Sequence, residues 1–271
     1  MAKIWSKQTD SDHYEVRSAG ATIRLYRNGV CHSQWNPTRP LSGGIWDLLI
    51  LPALNLPNPD IKNVLMLGFG GGAVARKLLE LVKPGKIVGI DIDEVHLDIA
   101  KRFFGCDVSC ELILKDAIKW VQTEAAKESP SVFDLIIDDL HVEESEKVPT
   151  RIAPLDLEWC KQLSKLTSPD GLLVFNVGNP FKLLDLSEAF NDTNFRSEFP
   201  YTKVFRIESC VNFMATFSKQ PFSEASFKDK MKEICQSYPR CRGVEKRYES
   251  LEMSDTMQNL SNIKNRFSIE I

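Results

Sequence analysis

Short apolar runs alternate with amphipathic stretches through the middle of the chain, and this alternation sets the expected fold class. Val64–Leu67, Lys86–Ile90, Glu111–Leu114, Phe133–Ile137 and Leu172–Val177 have strand length. Between them, Ala73–Val82 puts Val74, Leu78, Leu81 and Val82 on one helical face. Val95–Phe103, Ala117–Ala126 and Leu155–Leu166 read as further helices. Nearly continuous apolar strands between amphipathic helices predict a parallel sheet covered on both faces, a doubly wound α/β fold.

The flanks read differently. Thr22–Tyr26 and Val30–Gln34 are strand-like runs around Arg27-Asn28-Gly29, and Asn-Gly supplies the positive φ angles of a tight hairpin. Tyr14–Trp35 is therefore expected to form a small β appendage, closed by a break at Asn36–Pro40. Ile45–Leu54 reads as one helix and Leu183–Phe190 as another. Val204–Ile207 and Phe213–Phe217 read as a closing β pair, and the segment from Ser223 as helical. The resulting division is a β appendage over 1–40, an α/β domain over 41–220 and a C-terminal helical extension over 221–271.

Composition narrows the setting. A net charge of −3 leaves no electrostatic footprint for nucleic acid, so no nucleic-acid partner is expected. No apolar run approaches the ~20 residues of a membrane helix, and the polar start carries no signal-peptide pattern. The seven cysteines form no CxxC pair and read as free thiols of a reducing, cytoplasmic compartment.

The candidate chemistry gathers at strand ends. Gly68, Gly70 and Gly72 follow the first sheet strand, and Ala73 takes the third position of a Gly-x-Gly-x-x-Ala pattern. Such glycines let the chain turn tightly and let a ligand approach backbone N–H groups. Asp91 ends the second strand, where a carboxylate can accept both hydroxyls of an adenosine ribose, while Asp93 is placed to cap the next helix. Asp116 follows the third strand and Asp139 the fourth. Three acids on one edge suit an amine, a sulfonium and ribose hydroxyls better than a pyrophosphate, which favours an adenosyl sulfonium over NAD. Asp116 could alternatively serve only as a helix cap. Asp138-Asp139-Leu140-His141 could be half of a metal site, but no second cluster accompanies it and no metal is expected. The acidic run Glu143-Glu144-Ser145-Glu146-Lys147 could attract a cationic amine. His13, His32 and His96 read as surface or packing residues.

In order and spacing these segments resemble the spermidine-synthase-like branch of the class I S-adenosylmethionine-dependent methyltransferase fold. The likeness spans roughly residues 20–220. It rests on Leu25–Val30, Gly68–Gly72, Gly89–Asp93 and Lys115-Asp116-Ala117, and continues through Phe133–Asp139, Ser168–Gly171 and Asn212–Ala215. The resemblance implies a seven-stranded sheet and S-adenosylmethionine, or its decarboxylated form, as cofactor. It implies that Asp91 binds ribose, that Asp116 meets the adenine amino group and that the glycine loop cradles the methionine-derived part. Ile92, Ala117 and Asp139 complete the candidate cofactor-binding set. By analogy with a dimerising element of that family, the N-terminal hairpin suggests a homodimer.

One departure steers the expected reaction. Aminopropyltransferases carry Asp-Ser/Thr-x-Asp-Pro after the fourth strand, whereas here Leu140-His141-Val142-Glu143 follows Asp139, with Val142 in place of the second Asp. The Tyr-His-Glu that precedes the sheet in that family aligns with Ile45-Trp46-Asp47. The reading adopted from sequence is therefore a methyltransferase acting on a small amine or a protein, with Asp139 or His141 accepting or orienting the amine proton. An aminopropyltransferase using Glu143 or Glu144 in place of the missing Asp is the alternative, and a non-catalytic nucleoside-binding scaffold is a third. A dehydrogenase is a weaker fourth, because of the acid at 116.

Overall fold

The computed structural model describes residues 1–57, 60–143 and 149–267. The chain opens with β1 (Ala2–Gln8), β2 (His13–Ala19), β3 (Thr22–Arg27) and β4 (Val30–Trp35), an antiparallel sheet in the order β1-β2-β3-β4. The expected hairpin is its second half. Asn28 (φ 49°) and Gly29 (φ 85°) make the turn and bring Arg27 opposite Val30. β1 is mostly exposed and carries no apolar stripe, so no hydrophobic period marks it in the sequence.

Where one helix was expected over Ile45–Leu54, there are two short ones, α1 (Ile45–Leu48) and α2 (Leu51–Leu54). Pro52 is the reason: it has no N–H to offer the Leu48 carbonyl and starts a new helix instead. Then β5 (Asn63–Leu67), α3 (Ala73–Leu81), β6 (Lys86–Asp91), α4 (Glu94–Phe104), β7 (Cys110–Leu114), α5 (Ala117–Ala125) and β8 (Phe133–Asp138) follow the alternation read from the sequence. A small ribbon of β9 (His141–Glu143) and β10 (Pro149–Arg151) precedes α6 (Leu157–Lys165). β11 (Thr167–Gly178) absorbs the Pro169-Asp170-Gly171 turn as a break in its pairing with β8. After a 3₁₀ turn at Pro180–Leu186 come α7 (Ser187–Asn191), α8 (Thr193–Glu198), β12 (Tyr201–Ile207) and β13 (Phe213–Ser218). The chain closes with α9 (Glu224–Ser237), β14 (Tyr248–Glu252) and α10 (Met253–Phe267).

The central sheet runs β14-β12-β13-β11-β8-β5-β6-β7. Its five strands from β11 to β7 are parallel, and β13, β12 and β14 close it antiparallel. The doubly wound, mostly parallel α/β fold is thus present, with eight strands instead of seven. The eighth is β14, which pairs with β12 from within the segment expected to be helical.

Strand alternation divides the core. Val64 and Met66 of β5 join one apolar cluster, with α3, α4, α9 and the N-terminal sheet; Leu65 and Leu67 join the other, with α5, α6, α8 and α10. Each fully buried aliphatic side chain contributes about 1.5–3 kcal/mol. All seven cysteines are free thiols, four of them buried. Among the described residues, no helix is long and apolar enough to cross a membrane.

Candidate active site

β5 has β6 on one side and β8 on the other, so the strand order reverses beside it. In open α/β sheets the crevice at the carboxyl ends of such strands is where ligands bind. The loop Gly68–Gly72 enters this crevice directly from β5. Gly68 has φ +83°, and a Cβ there would collide with the Asp139 carbonyl oxygen. Glycine is required at this point by both conformation and space. Gly72 has φ +85° and lies over the buried Cys106 thiol, whose Sγ would be 2.7 Å from an added Cβ. Ala73 then begins α3.

Two side chains hold the loop. Gly70 N–H donates to Asp91 Oδ2 at 2.7 Å, and Gly71 N–H donates to Ser33 Oγ at 2.9 Å. Ser33 belongs to β4, so the N-terminal sheet reaches the crevice and shapes it. Asp91 Oδ1 also accepts from Asp93 N–H at 2.9 Å. Each oxygen of a carboxylate has two acceptor positions, which leaves one on each for a ligand. Ile92, next in the chain, is 71 % exposed and offers a flat apolar wall.

Asp93 caps α4, accepting from Val95 and His96 N–H, as the spacing predicts. Its Oδ2 accepts from Tyr14 Oη at 2.8 Å. Burial, then this bond, pushes the Tyr14 phenol above its ordinary range. His96 is neither a surface nor a plain packing residue: it is buried beside Asp91 and Asp93. Burial lowers its pKa, and the two carboxylates oppose that. Asp116 caps α5, with Oδ1 accepting from Ile118 and Lys119 N–H. The capping alternative is therefore realised in the structure. It occupies one oxygen and leaves Oδ2, 3.6 Å from Lys119 Nζ, facing outward. The side chain of Ala117 lies in the core, so only its backbone can meet a ligand.

At the end of β8 the two adjacent acids part company. Asp138 is fully buried; its Oδ2 accepts from Arg151 at 2.5 Å and from Trp159 Nε1 at 2.8 Å. Asp139 turns to the crevice, its backbone N–H bonded to the Leu67 carbonyl at 2.9 Å. Its Oδ1 accepts from Asn176 Nδ2 at 2.7 Å. His141 Nδ1 stands 3.3 Å from the same oxygen, and neither ring nitrogen of His141 has a hydrogen-bond partner among the described residues. Glu144–Lys147 lie outside the described residues, as does the side chain of Glu143, so the acidic run expected to attract an amine is not placed.

Sequence reasoning missed the supports of this site. Asn176 also accepts from Gly178 N–H and from Asn212 Nδ2, and it is almost fully buried. Its signal was visible: it is the one polar residue within Leu172–Val177. Arg151, which also donates to the Asn176 carbonyl at 3.0 Å, gave no local signal. Neither did Ser33.

The model of the spermine/spermidine synthase domain matches residues 47–232. A polyamine aminopropyltransferase of Thermoplasma volcanium is 29% identical over 140 residues, 49% of this chain and 47% of that protein. The thermospermine synthase ACAULIS5 of Arabidopsis thaliana is 29% identical over 167 residues, 59% of this chain and 47% of that protein. The chain thus spans about half the length of these relatives. A probable spermidine synthase from Corynebacterium glutamicum superposes with a TM-score of 0.68 over 96% of this chain and 95% of that one, at 15% identity, which shows the fold.

These relatives correct the expectation of methyl transfer to an amine or a protein, since both curated proteins are named for polyamine synthesis by aminopropyl transfer or its product. The physical reason is that both reactions displace an adenosyl sulfonium. A glycine loop with acids at the strand ends is compatible with either one, and Val142 after Asp139 does not by itself separate them. With the domain model matched over residues 47–232 of 271, the chain belongs to the spermine/spermidine synthase family.

Proposed function

We propose that this protein is an aminopropyltransferase that uses decarboxylated S-adenosylmethionine and a small amine. The observation that carries the reading is the Asp139 carboxylate. Asn176 fixes it at the switch point, and its Oδ2 makes no hydrogen bond among the described residues. The residues present fit an adenosyl ligand. Asp91 keeps acceptor capacity for ribose hydroxyls, Ile92 offers an apolar wall for the base, and Gly70 and Gly71 draw the backbone close.

Bound decarboxylated S-adenosylmethionine supplies a methylene carbon activated by its bond to a sulfonium. The protein's part is placement and proton handling. Asp139 Oδ2 accepts a hydrogen bond from the amine and aims its lone pair at that carbon. As the C–N bond forms and the C–S bond breaks, the bonding pair goes to sulfur. The proton lost by nitrogen passes to Asp139, with His141 as the next acceptor 3.3 Å from Oδ1. The residues proposed as catalytic are Asp139 and His141; those proposed to hold the cofactor are Gly68, Gly70, Gly72, Asp91, Ile92, Asp116 and Ala117.

The test is incubation of the purified chain with a diamine and either decarboxylated or intact S-adenosylmethionine. Formation of 5′-methylthioadenosine from the decarboxylated form is the expected result. Asp139→Asn should lower turnover by about 10²–10⁴-fold, as expected for a general base. Formation of S-adenosylhomocysteine from the intact form, with the decarboxylated form inert, would overturn the reading.

A further inference from the structure

Beside Asp91 lies an ionisable side chain that the proposed reaction does not use. His96 stands in the first turn of α4 and is 5 % exposed. Its ring sits between two carboxylates. Nδ1 is 4.0 Å from Asp91 Oδ1, and Nε2 is 3.6 Å from Asp93 Oδ2. Both separations exceed a hydrogen bond, and Nε2 has no hydrogen-bond partner among the described residues. Further neighbours come from the N-terminal sheet. Tyr14 of β2 meets the ring edge-on at 5.9 Å, and the His32 ring of β4 lies 5.1 Å away. Arg27 of β3 approaches Asp93 at 3.9 Å.

We propose that His96 is a positioning residue for Asp91: neutral, it leaves the carboxylate to the ribose hydroxyls of the adenosyl ligand, and protonated, it withdraws it. This rests on the reading of Asp91 as the ribose acid. A neutral imidazole has one N–H donor, whereas an imidazolium has two, on opposite edges of the ring. Here those edges face Asp91 and Asp93. A movement of about 1 Å brings Nδ1 within hydrogen-bond distance of Asp91 Oδ1. That oxygen already accepts from Asp93 N–H, so the added donor fills the place a ribose hydroxyl needs. Asp91 Oδ2 is tied to Gly70 N–H, so the same movement reaches the glycine loop.

The surroundings set where this operates. Asp91 and Asp93 favour the charged ring; burial, His32 and Arg27 oppose it, and burial is the largest influence. His96 is therefore neutral at neutral pH, and the device acts on the acid side of the ordinary imidazole range. Ligand and proton exclude each other, so binding at acid pH releases a proton to solvent, with reciprocal coupling.

The experiment measures the affinity of 5′-methylthioadenosine, an uncharged nucleoside that carries both ribose hydroxyls, from pH 8 to pH 5.5. Because the ring titrates below its ordinary 6.5, wild type should weaken by a few-fold on acidification, short of the about tenfold that an unshifted imidazole would give at pH 5.5, and His96→Gln should stay flat. Parallel profiles for the two proteins would overturn the proposal. A second measurement needs no variant and no ligand. The Gly70 amide proton, bonded to Asp91, should shift in step with the His96 ring resonances as pH falls. A Gly70 amide that ignores the His96 titration would equally overturn it. If the nucleoside binds at no pH, the adenosyl reading of the site fails, and the Gly70 shift still decides whether His96 controls Asp91.

Discussion

Arg151→Met tests whether the buried Asp138 anchors the strand edge that carries Asp139. The Arg151 and Asp138 side chains are 5% and 1% exposed, so their interaction is barely screened by solvent. Arg151 donates to Asp138 Oδ2 at 2.5 Å and to the Asn176 carbonyl at 3.0 Å. Methionine fills much of the same volume but removes both bonds. Asp138 would keep Trp159 Nε1 and a long contact from Leu140 N–H at 3.4 Å. An ionised carboxylate left short of its cation in the core costs about 3–5 kcal/mol. For a chain of this size that is a fall in Tm of roughly 6–20 °C, at about 2–4 °C per kcal/mol. Urea unfolding of wild type, Arg151→Met, Asp138→Asn and the double variant completes the cycle. The double variant should be more stable than Arg151→Met, because the charge that needed the partner is gone. A loss below about 1 kcal/mol in Arg151→Met, or strict additivity, would refute the reasoning. Turnover should fall in the same variant, since Arg151 supports the Asn176 backbone beneath Asp139.

Three further outcomes are expected. Gly68→Ala should lose about 1–2 kcal/mol from the positive φ, with more from the collision at the Asp139 carbonyl, read by thermal unfolding; an unchanged Tm would exclude the tight approach of the two loops. Asp91→Ala should weaken 5′-methylthioadenosine by about 1–3 kcal/mol in calorimetry, the cost of unpaired polar groups, and an unaltered affinity would remove Asp91 from the ribose site. The stability of wild type relative to His96→Phe should depend on pH. The folded pKa of His96 lies below the ordinary 6.5, so its contribution is complete above that value and is lost as pH falls through the folded value. A stability difference constant from pH 8 to pH 5 would contradict the burial of a neutral ring.

The strand–helix alternation from Val64 to Val177 was legible because each element carries its own periodicity and turn residues. Asp93 and Asp116 were legible as caps for the same reason: a cap acts within three residues of itself. The eighth strand was not, since Tyr248–Glu252 becomes a strand through its pairing with β12. The single helix expected at Ile45–Leu54 underrated Pro52. The preference for methyl transfer rested on Val142, one local departure, although a pocket for an adenosyl sulfonium is compatible with either reaction.

By itself the sequence determined the doubly wound sheet, the glycine turn at Gly68–Gly72 and the placement of Asp91, Asp116 and Asp139 on one edge. Backbone periodicity and strand polarity need no distant partner. Tertiary structure alone decided what holds these groups: it brought Ser33 to Gly71, Asn176 to Asp139 and Arg151 to the buried Asp138. It also set His96 between Asp91 and Asp93, under a cover from β2, β3 and β4. These contacts depend on burial and on the meeting of separate segments, which spacing along the chain does not encode.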